Sequence, residues 1–241
     1  MRNRFMDLIV AAALLLACSA VGFAQAGQRP PDLSGVWLRA KTLSASDARW
    51  VTARTDPIPF LPRTREVREY GRNEQAEGEQ FRPELNPRIS ECYPPDPHFL
   101  MSNDYPFEIV QSSRRAMFLF EWGHWVRQVW LGEEPTDDVD IAWMGYSIGK
   151  WDGDTLVIDT SAIDDRNSYA GFIHTDEMHI TEHLRRVDPN TLVNIRTFED
   201  PKAYTMPWTD TVVYKLQPNL RITPKQQCDK TLTKDFVFYS D

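Results

Sequence analysis

Short runs of alternating hydrophobic and polar residues, separated by turn residues, follow one another from about residue 105 onwards. Alternation with a period of two is typical of β-strands that have one buried face. Two of the breaks, Asp152-Gly153 and Asp188-Pro189-Asn190, have the residues of tight hairpin turns. We therefore predict a first strand near residue 33 and about nine more from residue 105 onwards, each paired with its neighbour in the sequence. The predicted runs are 33–38, 107–111, 116–122, 125–131, 144–151, 155–160, 177–187, 192–198, 209–216 and a last run near Arg221.

An up-and-down antiparallel β-barrel is the simplest closure of such a series, because it leaves no exposed sheet edge. The first strand begins with Gly35-Val36-Trp37, which resembles the Gly-x-Trp sequence that opens the barrel of lipocalins. This resemblance implies an all-β, lipocalin-like fold in which Trp37 packs across the closed end of the barrel.

Residues 45–97 have a different character, because they are polar, charged and contain eight prolines. A segment of that length without strands is unusual in a compact domain unless it forms an arm, a lid or a cap. We predict a Pro-rich arm or capping insertion with short helices, one of them over 65–76. Residues 27–241 would then form a single barrel domain that carries this insertion.

The first 26 residues have the order of a secretory signal peptide. Basic residues Arg2 and Arg4 precede an apolar run over 8–17, and the small residues Ala24-Gln25-Ala26 follow it. We expect cleavage after Ala26 and a periplasmic or secreted protein. The alternative is lipoprotein processing at Cys18. No later run is long enough for a membrane helix, so we expect no membrane partner after cleavage.

The formal net charge is −8, and cleavage of the predicted signal peptide would make it slightly more negative. This charge argues against nucleic acid or an anionic membrane surface as the main partner. Eight Trp, eight Tyr and twelve Phe indicate a core or pocket rich in aromatic surface. We therefore expect a small-molecule ligand or substrate. Oligomeric state is left open.

Two cysteines follow the leader, Cys92 and Cys228. In an oxidising compartment an even number of widely separated cysteines favours one disulfide. Two free thiols are the alternative.

Glu182 is the most informative residue of the chain. In the strand predicted over 177–187 it shares one face with Met178, Ile180 and Leu184, which are apolar. A carboxylate in such a row needs a buried partner, or its pKa rises. Both outcomes are common in binding pockets and active sites.

Arg127 is the second charged residue in an apolar row, because Trp125 and Val129 lie on the same face. A pair between Glu182 and Arg127 across a cavity would keep both charged and would orient an anionic or carbonyl-bearing ligand. Alternation alone does not tell which face points inward. Both rows could instead face outward under the arm. The other candidate ligand-binding residues are Glu108, His179, Trp143 and Arg185.

Acid–base catalysis is the second functional hypothesis for the same pocket. His174 lies in a predicted loop from which it could reach a barrel mouth, and histidine is easily poised near neutral pH. His174 and Glu182 would be the acid and base, and Tyr146 could donate a hydrogen bond to a developing oxyanion. The enzyme would be a cofactor-independent lyase, isomerase or hydrolase.

A metal site is not favoured by the spacing of the histidines. His179 and His183 share a strand face but are four residues apart, about 13 Å along a regular strand. Two ligands of one ion must each come within about 2.2 Å of it. We predict neither a metal nor another cofactor.

Three stretches of the chain together resemble a family of secreted bacterial proteins of uncharacterised function. They are Pro31 to Trp37, Trp143 to Thr160, and His174 to Arg186 followed by 199–204. The resemblance covers most of the mature chain and implies no particular reaction. The sequence leaves an exported small-molecule carrier as the leading function and the enzyme as its alternative.

Overall fold

A computed structural model describes residues 30–51, 55–76, 92–136, 138–169 and 172–223, without the side chains of 71–76. Contacts divide the chain into two units, Met1–Pro30 and Pro31–Asp241, and every element named below belongs to the second. The predicted signal peptide with Cys18, and the C-terminal residues that include Cys228, lie outside the described residues. The disulfide between Cys92 and Cys228 therefore stays a prediction.

Nine strands of the described residues close into a β-barrel, and they follow one another around it in sequence order. The last strand pairs with the first, so the sheet has no open edge. The predicted closed barrel is confirmed. Residues 221–223, near the predicted last run, are not in a strand. The strands are β1 (Gly35–Arg39), β2 (Phe107–Gln111), β3 (Arg115–Phe120), β4 (Val126–Leu131), β5 (Tyr146–Asp152), β6 (Thr155–Ser161), β7 (His179–Asp188), β8 (Thr191–Glu199) and β9 (Trp208–Leu216).

One pair departs from the predicted antiparallel pattern, because β4 and β5 run parallel. Parallel neighbours cannot be joined by a tight turn, and the chain from 132 to 145 returns to the end of the barrel where β4 began. Gly149 on β5 makes the close packing of this pair possible. A Cβ at that position would lie 2.8 Å from side-chain atoms of both Leu131 and Val129.

Helices occupy the connection between β1 and β2. They are α1 (Ala45–Ala48), α2 (Pro62–Ala76) and α3 (Pro97–Ser102). The helix predicted over 65–76 is thus confirmed as part of α2, which begins at a proline, as first turns often do. Asp96 caps α3 by accepting a hydrogen bond from the Phe99 amide at 2.9 Å.

The described parts of this connection pack against β9 and the chain just before it. The Thr55 amide donates to Thr209 O, and the Leu61 amide donates to Ala203 O. Lys215 of β9 donates to Asp47 Oδ1 of α1 at 2.6 Å. These contacts hold the start of the insertion on the outside of the barrel wall.

Trp37 is fully buried in the main core, where β1 begins. Its indole N–H donates to Leu33 O at 2.9 Å, and the guanidinium of Arg186 lies 5.3 Å from the ring centroid. Arg186 also donates to Asp32 O. The start of β1 and the end of β7 are therefore joined around one tryptophan.

Aromatic side chains fill the opposite end of the barrel, which we call the mouth. The rings of Phe198 and Trp208 stack at 4.2 Å, and Phe172 packs against both. Helix α3 lies over this cluster, since His98 stacks on Phe172 at 4.1 Å. Tyr214 of β9 donates to Met101 O of the same helix at 2.6 Å. The mouth is thus covered by α3.

None of the described helices is both long enough and apolar enough to cross a membrane.

Candidate functional site

Glu182 lies inside the barrel, together with its row neighbours Ile180 and Leu184. The residue is 1 % exposed, and both neighbours are equally buried. Its row therefore faces inward, and the alternative, a pair covered by the arm on the outside, is wrong. A charged residue in this environment needs partners that replace water.

Arg127 of β4 reaches Glu182 across the interior. Its Nη2 donates to Glu182 Oε2 and to Thr160 Oγ1, the latter at 2.8 Å. Its Nε donates to Ser147 Oγ at 3.3 Å. The predicted pairing of Arg127 with Glu182 is confirmed. Two hydroxyl groups, from β5 and β6, hold the guanidinium at this position.

Asn194 of β8 completes the shell of the carboxylate. Its Nδ2 donates to Glu182 Oε1 at 2.7 Å, so each carboxylate oxygen accepts a hydrogen bond. Burial raises the pKa of Glu182, but the charge and hydrogen bond of Arg127, the Asn194 amide and the charge of Arg196 outweigh it. The net pKa is below the ordinary value. Glu182 is therefore held as a carboxylate.

A second ion pair lies beside the first. Arg196 of β8 is directly opposite Glu182 in the β7–β8 register. It donates through Nε and Nη2 to the two oxygens of Asp210, at 2.7 and 2.5 Å, and through Nη1 to His98 O of α3 at 3.3 Å. Burial lowers the pKa of Arg196, but Asp210 more than offsets it, so the net pKa is raised. Arg196 is therefore held as a cation.

Sequence reasoning missed Asn194, Arg196 and Asp210. Asn194 and Arg196 interrupt a row that begins at Leu192 and ends at Phe198, which is the same anomaly that identified Glu182. The signal was present in the sequence. It was hidden because the opposite row of β8 also contains aliphatic residues, so neither face stood out as the polar one.

Two polar atoms of this network have no hydrogen-bond partner among the described residues: Arg127 Nη1 and Asn194 Oδ1. Arg127 is 1 % exposed and Asn194 is 0 % exposed. Buried side-chain donors and acceptors are nearly always paired, with protein or with a bound molecule. The interior therefore offers one charged donor and one amide acceptor.

His174 is buried near the mouth, in the loop predicted for it. Its Nε2 lies 2.9 Å from Asn167 Oδ1, and its Nδ1 lies 3.3 Å from Thr175 O. The Asn167 amide is fixed in turn, because its Nδ2 donates to Pro94 O and to the main chain of Trp143. The described contacts of the His174 ring do not include Glu182. Its predicted catalytic role stays a prediction.

Three further candidates lie on the outer face of the barrel, because their strand neighbours point inward. Tyr146 donates to Glu133 Oε2 at 2.5 Å, and this bond raises its pKa. His179 Nε2 pairs with Asp159 Oδ1 at 2.7 Å. Glu108 lies between the buried Phe107 and Ile109. The structure does not bring these residues together with the interior pair.

The remaining two candidates are also apart from the interior network. Trp143 packs against Tyr93, with the guanidinium of Arg166 4.5 Å from its ring centroid. Arg185 pairs with Asp154 on the surface at 2.6 Å. It also borders an outer groove of about 390 Å³. The groove is lined by Trp50, Thr155, His183, Arg185, Val187, Val193 and Ile195.

Within the described parts of the chain, no group of three or more His, Cys, Asp or Glu side chains is arranged to hold a metal ion.

The fold and the network together define the chain as a closed β-barrel whose inner face carries two ion pairs, a fully buried one between Arg127 and Glu182 and a partly exposed one between Arg196 and Asp210. No protein-family model matches the chain, and no curated protein is significantly similar to it. The resemblance to secreted bacterial proteins of uncharacterised function stays a prediction.

Proposed function

We propose that this chain is an exported β-barrel protein that binds a small, partly apolar molecule in its interior. Arg127 and Asn194 would hold the polar end of the molecule, and Glu182 would hold these two side chains in place. The observation that carries the proposal is the pair of buried polar atoms, Arg127 Nη1 and Asn194 Oδ1, that have no partner among the described residues.

The physical reason is the cost of burying such atoms. Leaving a buried donor or acceptor unpaired costs about 1–3 kcal/mol, and more for a charged group. A ligand that supplies the missing partners recovers this free energy on binding. The apolar side chains around the network, among them Phe118 and Leu184, would contact the rest of the molecule, as is usual in ligand pockets.

The ion pair itself supports a functional role over a purely structural one. Replacing a buried ion pair by well-packed apolar residues is often neutral or stabilising, because desolvation offsets most of the attraction. The core of this barrel is rich in Phe and Leu, so apolar side chains could fill the interior in place of Arg127 and Glu182. A binding role gives a reason for placing the two charges in its interior.

Catalysis by Glu182 and His174 receives less support. A carboxylate whose pKa is lowered is a weak base at neutral pH, and a good general base has a pKa near the working pH. Tyr146 is on the outer face, bonded to Glu133. These placements favour binding. Export rests on the leader at residues 1–26, and the proposed location is periplasmic or secreted.

The test is to analyse the small molecules that copurify with the protein. Mature wild-type protein is purified, extracted with organic solvent and examined by untargeted mass spectrometry. The double variant Arg127→Met/Glu182→Met removes both charges of the buried Arg127–Glu182 pair and should still fold. Arg115→Met, which removes an exposed arginine of β3, is the matched control.

We expect one organic molecule to accompany the wild type and Arg115→Met in near-stoichiometric amount and to be absent from the double variant. An equal amount in the double variant would show that the Arg127–Glu182 pair does not hold it. If the wild type carries no molecule, incubation with a lysate extract followed by repurification repeats the comparison, and a second empty result would overturn the proposal.

A further inference from the structure

We infer that the bound molecule is electrically neutral and that its polar end carries both a hydrogen-bond acceptor and a donor. A primary carboxamide is the simplest such group, and a protonated carboxylic acid is another. This inference rests on the proposed function. Of the two ligand types expected from the sequence, anionic and carbonyl-bearing, it keeps only the neutral carbonyl-bearing one.

The first argument is the charge balance of the interior network. Arg127 pairs with Glu182, and Arg196 pairs through two hydrogen bonds with Asp210. Two positive charges therefore face two negative charges, and the network is neutral before any ligand arrives. A carboxylate ligand would add a negative charge with no cation left to balance it. Burying an uncompensated charge is among the most costly steps in a protein interior.

The second argument is the state of Glu182. The site could accept an anion if Glu182 took up a proton. The contacts of Glu182 oppose this, because Arg127 and Asn194 each donate to one of its oxygens. Such donors stabilise the charged form, and the pKa of Glu182 is accordingly lowered. The negative charge of Glu182 stays in place and repels a second one.

The third argument is the pattern of free atoms. Arg127 Nη1 is a donor. The Asn194 amide has a fixed orientation, because its Nδ2 must face Glu182 Oε1, so the free atom Oδ1 is an acceptor. A carboxylate can only accept hydrogen bonds. A carboxamide carries both types of group that are missing, a carbonyl oxygen that Arg127 Nη1 could donate to and an N–H that Asn194 Oδ1 could accept from.

The test compares benzamide with benzoate, two probes of nearly the same size that differ in charge and donor capacity. Their dissociation constants for the mature protein are measured at pH 7 by isothermal titration calorimetry. We expect benzamide to bind at least about tenfold more tightly, since one satisfied hydrogen bond to a charged group accounts for about that factor. Benzoate should bind more tightly as the pH is lowered and the neutral acid forms.

Arg127→Lys sharpens the comparison. Lysine keeps a positive charge beside Glu182 but has a single nitrogen, so it has no counterpart of the unpaired Nη1. We expect benzamide affinity to fall about tenfold in this variant, while Arg115→Lys leaves it unchanged. If Arg127→Lys does not fold, the wild-type comparison of the two probes stands as the test.

The outcomes separate this inference from the proposed function. Benzoate binding as tightly as benzamide would overturn the neutral ligand and leave an interior binding site in place. Binding of neither probe, with a single ordered water on Arg127 Nη1 in a crystal structure, would overturn both.

Discussion

Arg127 and Glu182 are 55 positions apart in the chain, yet Arg127 Nη2 and Glu182 Oε2 meet inside the barrel. The two residues belong to β4 and β7, which have β5 and β6 between them in the barrel wall. Their contact therefore crosses the interior and does not follow the sheet. It links β4, which pairs in parallel with β5, to β7, which lies in the antiparallel series from β5 to β9.

Removing one member of this pair should destabilise the protein far more than removing both. Arg127→Met leaves Glu182 buried without its cation, which costs about 3–5 kcal/mol, and Glu182→Met does the same to Arg127. The double variant should come within about 1 kcal/mol of the wild type. Urea unfolding measures the three free energies. Single variants that cost less than 1 kcal/mol would show that the pair is not desolvated.

The acid stability of the protein should depend on Glu182. The pKa of Glu182 in the folded state is below its ordinary value of 4.5, so ionised Glu182 stabilises the fold fully above pH 4.5. This stabilisation is lost as the pH falls through the folded-state pKa. The free energy of unfolding should therefore decrease less steeply below pH 4.5 in Glu182→Gln than in the wild type. Parallel pH profiles would contradict the assignment.

Helix α3 should loosen when Tyr214 loses its hydroxyl. In Tyr214→Phe the Met101 carbonyl loses the donor that lies 2.6 Å from it, which should cost about 1–3 kcal/mol. Hydrogen exchange followed by mass spectrometry should show faster exchange over 98–102 than in the wild type. Unchanged exchange in α3 would mean that its apolar contacts alone fix it. Tyr70→Phe, on the exposed face of α2, is the control.

His179 should titrate above the ordinary histidine value of 6.5, because the hydrogen bond to Asp159 raises its pKa. Its pairing stabilises the fold below pH 6.5, and that contribution is lost as the pH rises through the folded-state pKa. The pKa is measured from the NMR shifts of the imidazole protons. Asp159→Asn should lower it. A His179 pKa at or below 6.5 that does not change in Asp159→Asn would contradict the contact.

Much of the architecture could be read from the sequence, because short-range signals specify it. The Asp152-Gly153 turn joins β5 to β6 as predicted. Alternation also grouped Ile180, Glu182 and Leu184 on one face of β7, although it did not tell that this face points inward. The parallel β4–β5 pair could not be predicted. Its cause is the return of 132–145 along the barrel, and no local pattern encodes the path of a connection.

The site was predicted only in part, for a related reason. Arg127 and Glu182 each stood out as a charge in an apolar row. Asn194 and Arg196 did not, because aliphatic residues on both faces of β8 conceal which row points inward. His174 was correctly predicted to lie in a loop, but its burial was not predicted. That burial depends on Asn167 and on the position of residues 172–175 near the mouth, and an alternating pattern carries no information about either.

A crystal structure of the protein as purified, at a resolution that separates water from organic groups, tests the central claim most directly. The claim is that Arg127 Nη1 and Asn194 Oδ1 hold the polar end of a bound small molecule. We predict continuous density for an organic group within hydrogen-bond distance of both atoms. A lone water, or side chains from the rest of the chain at that place, would contradict it.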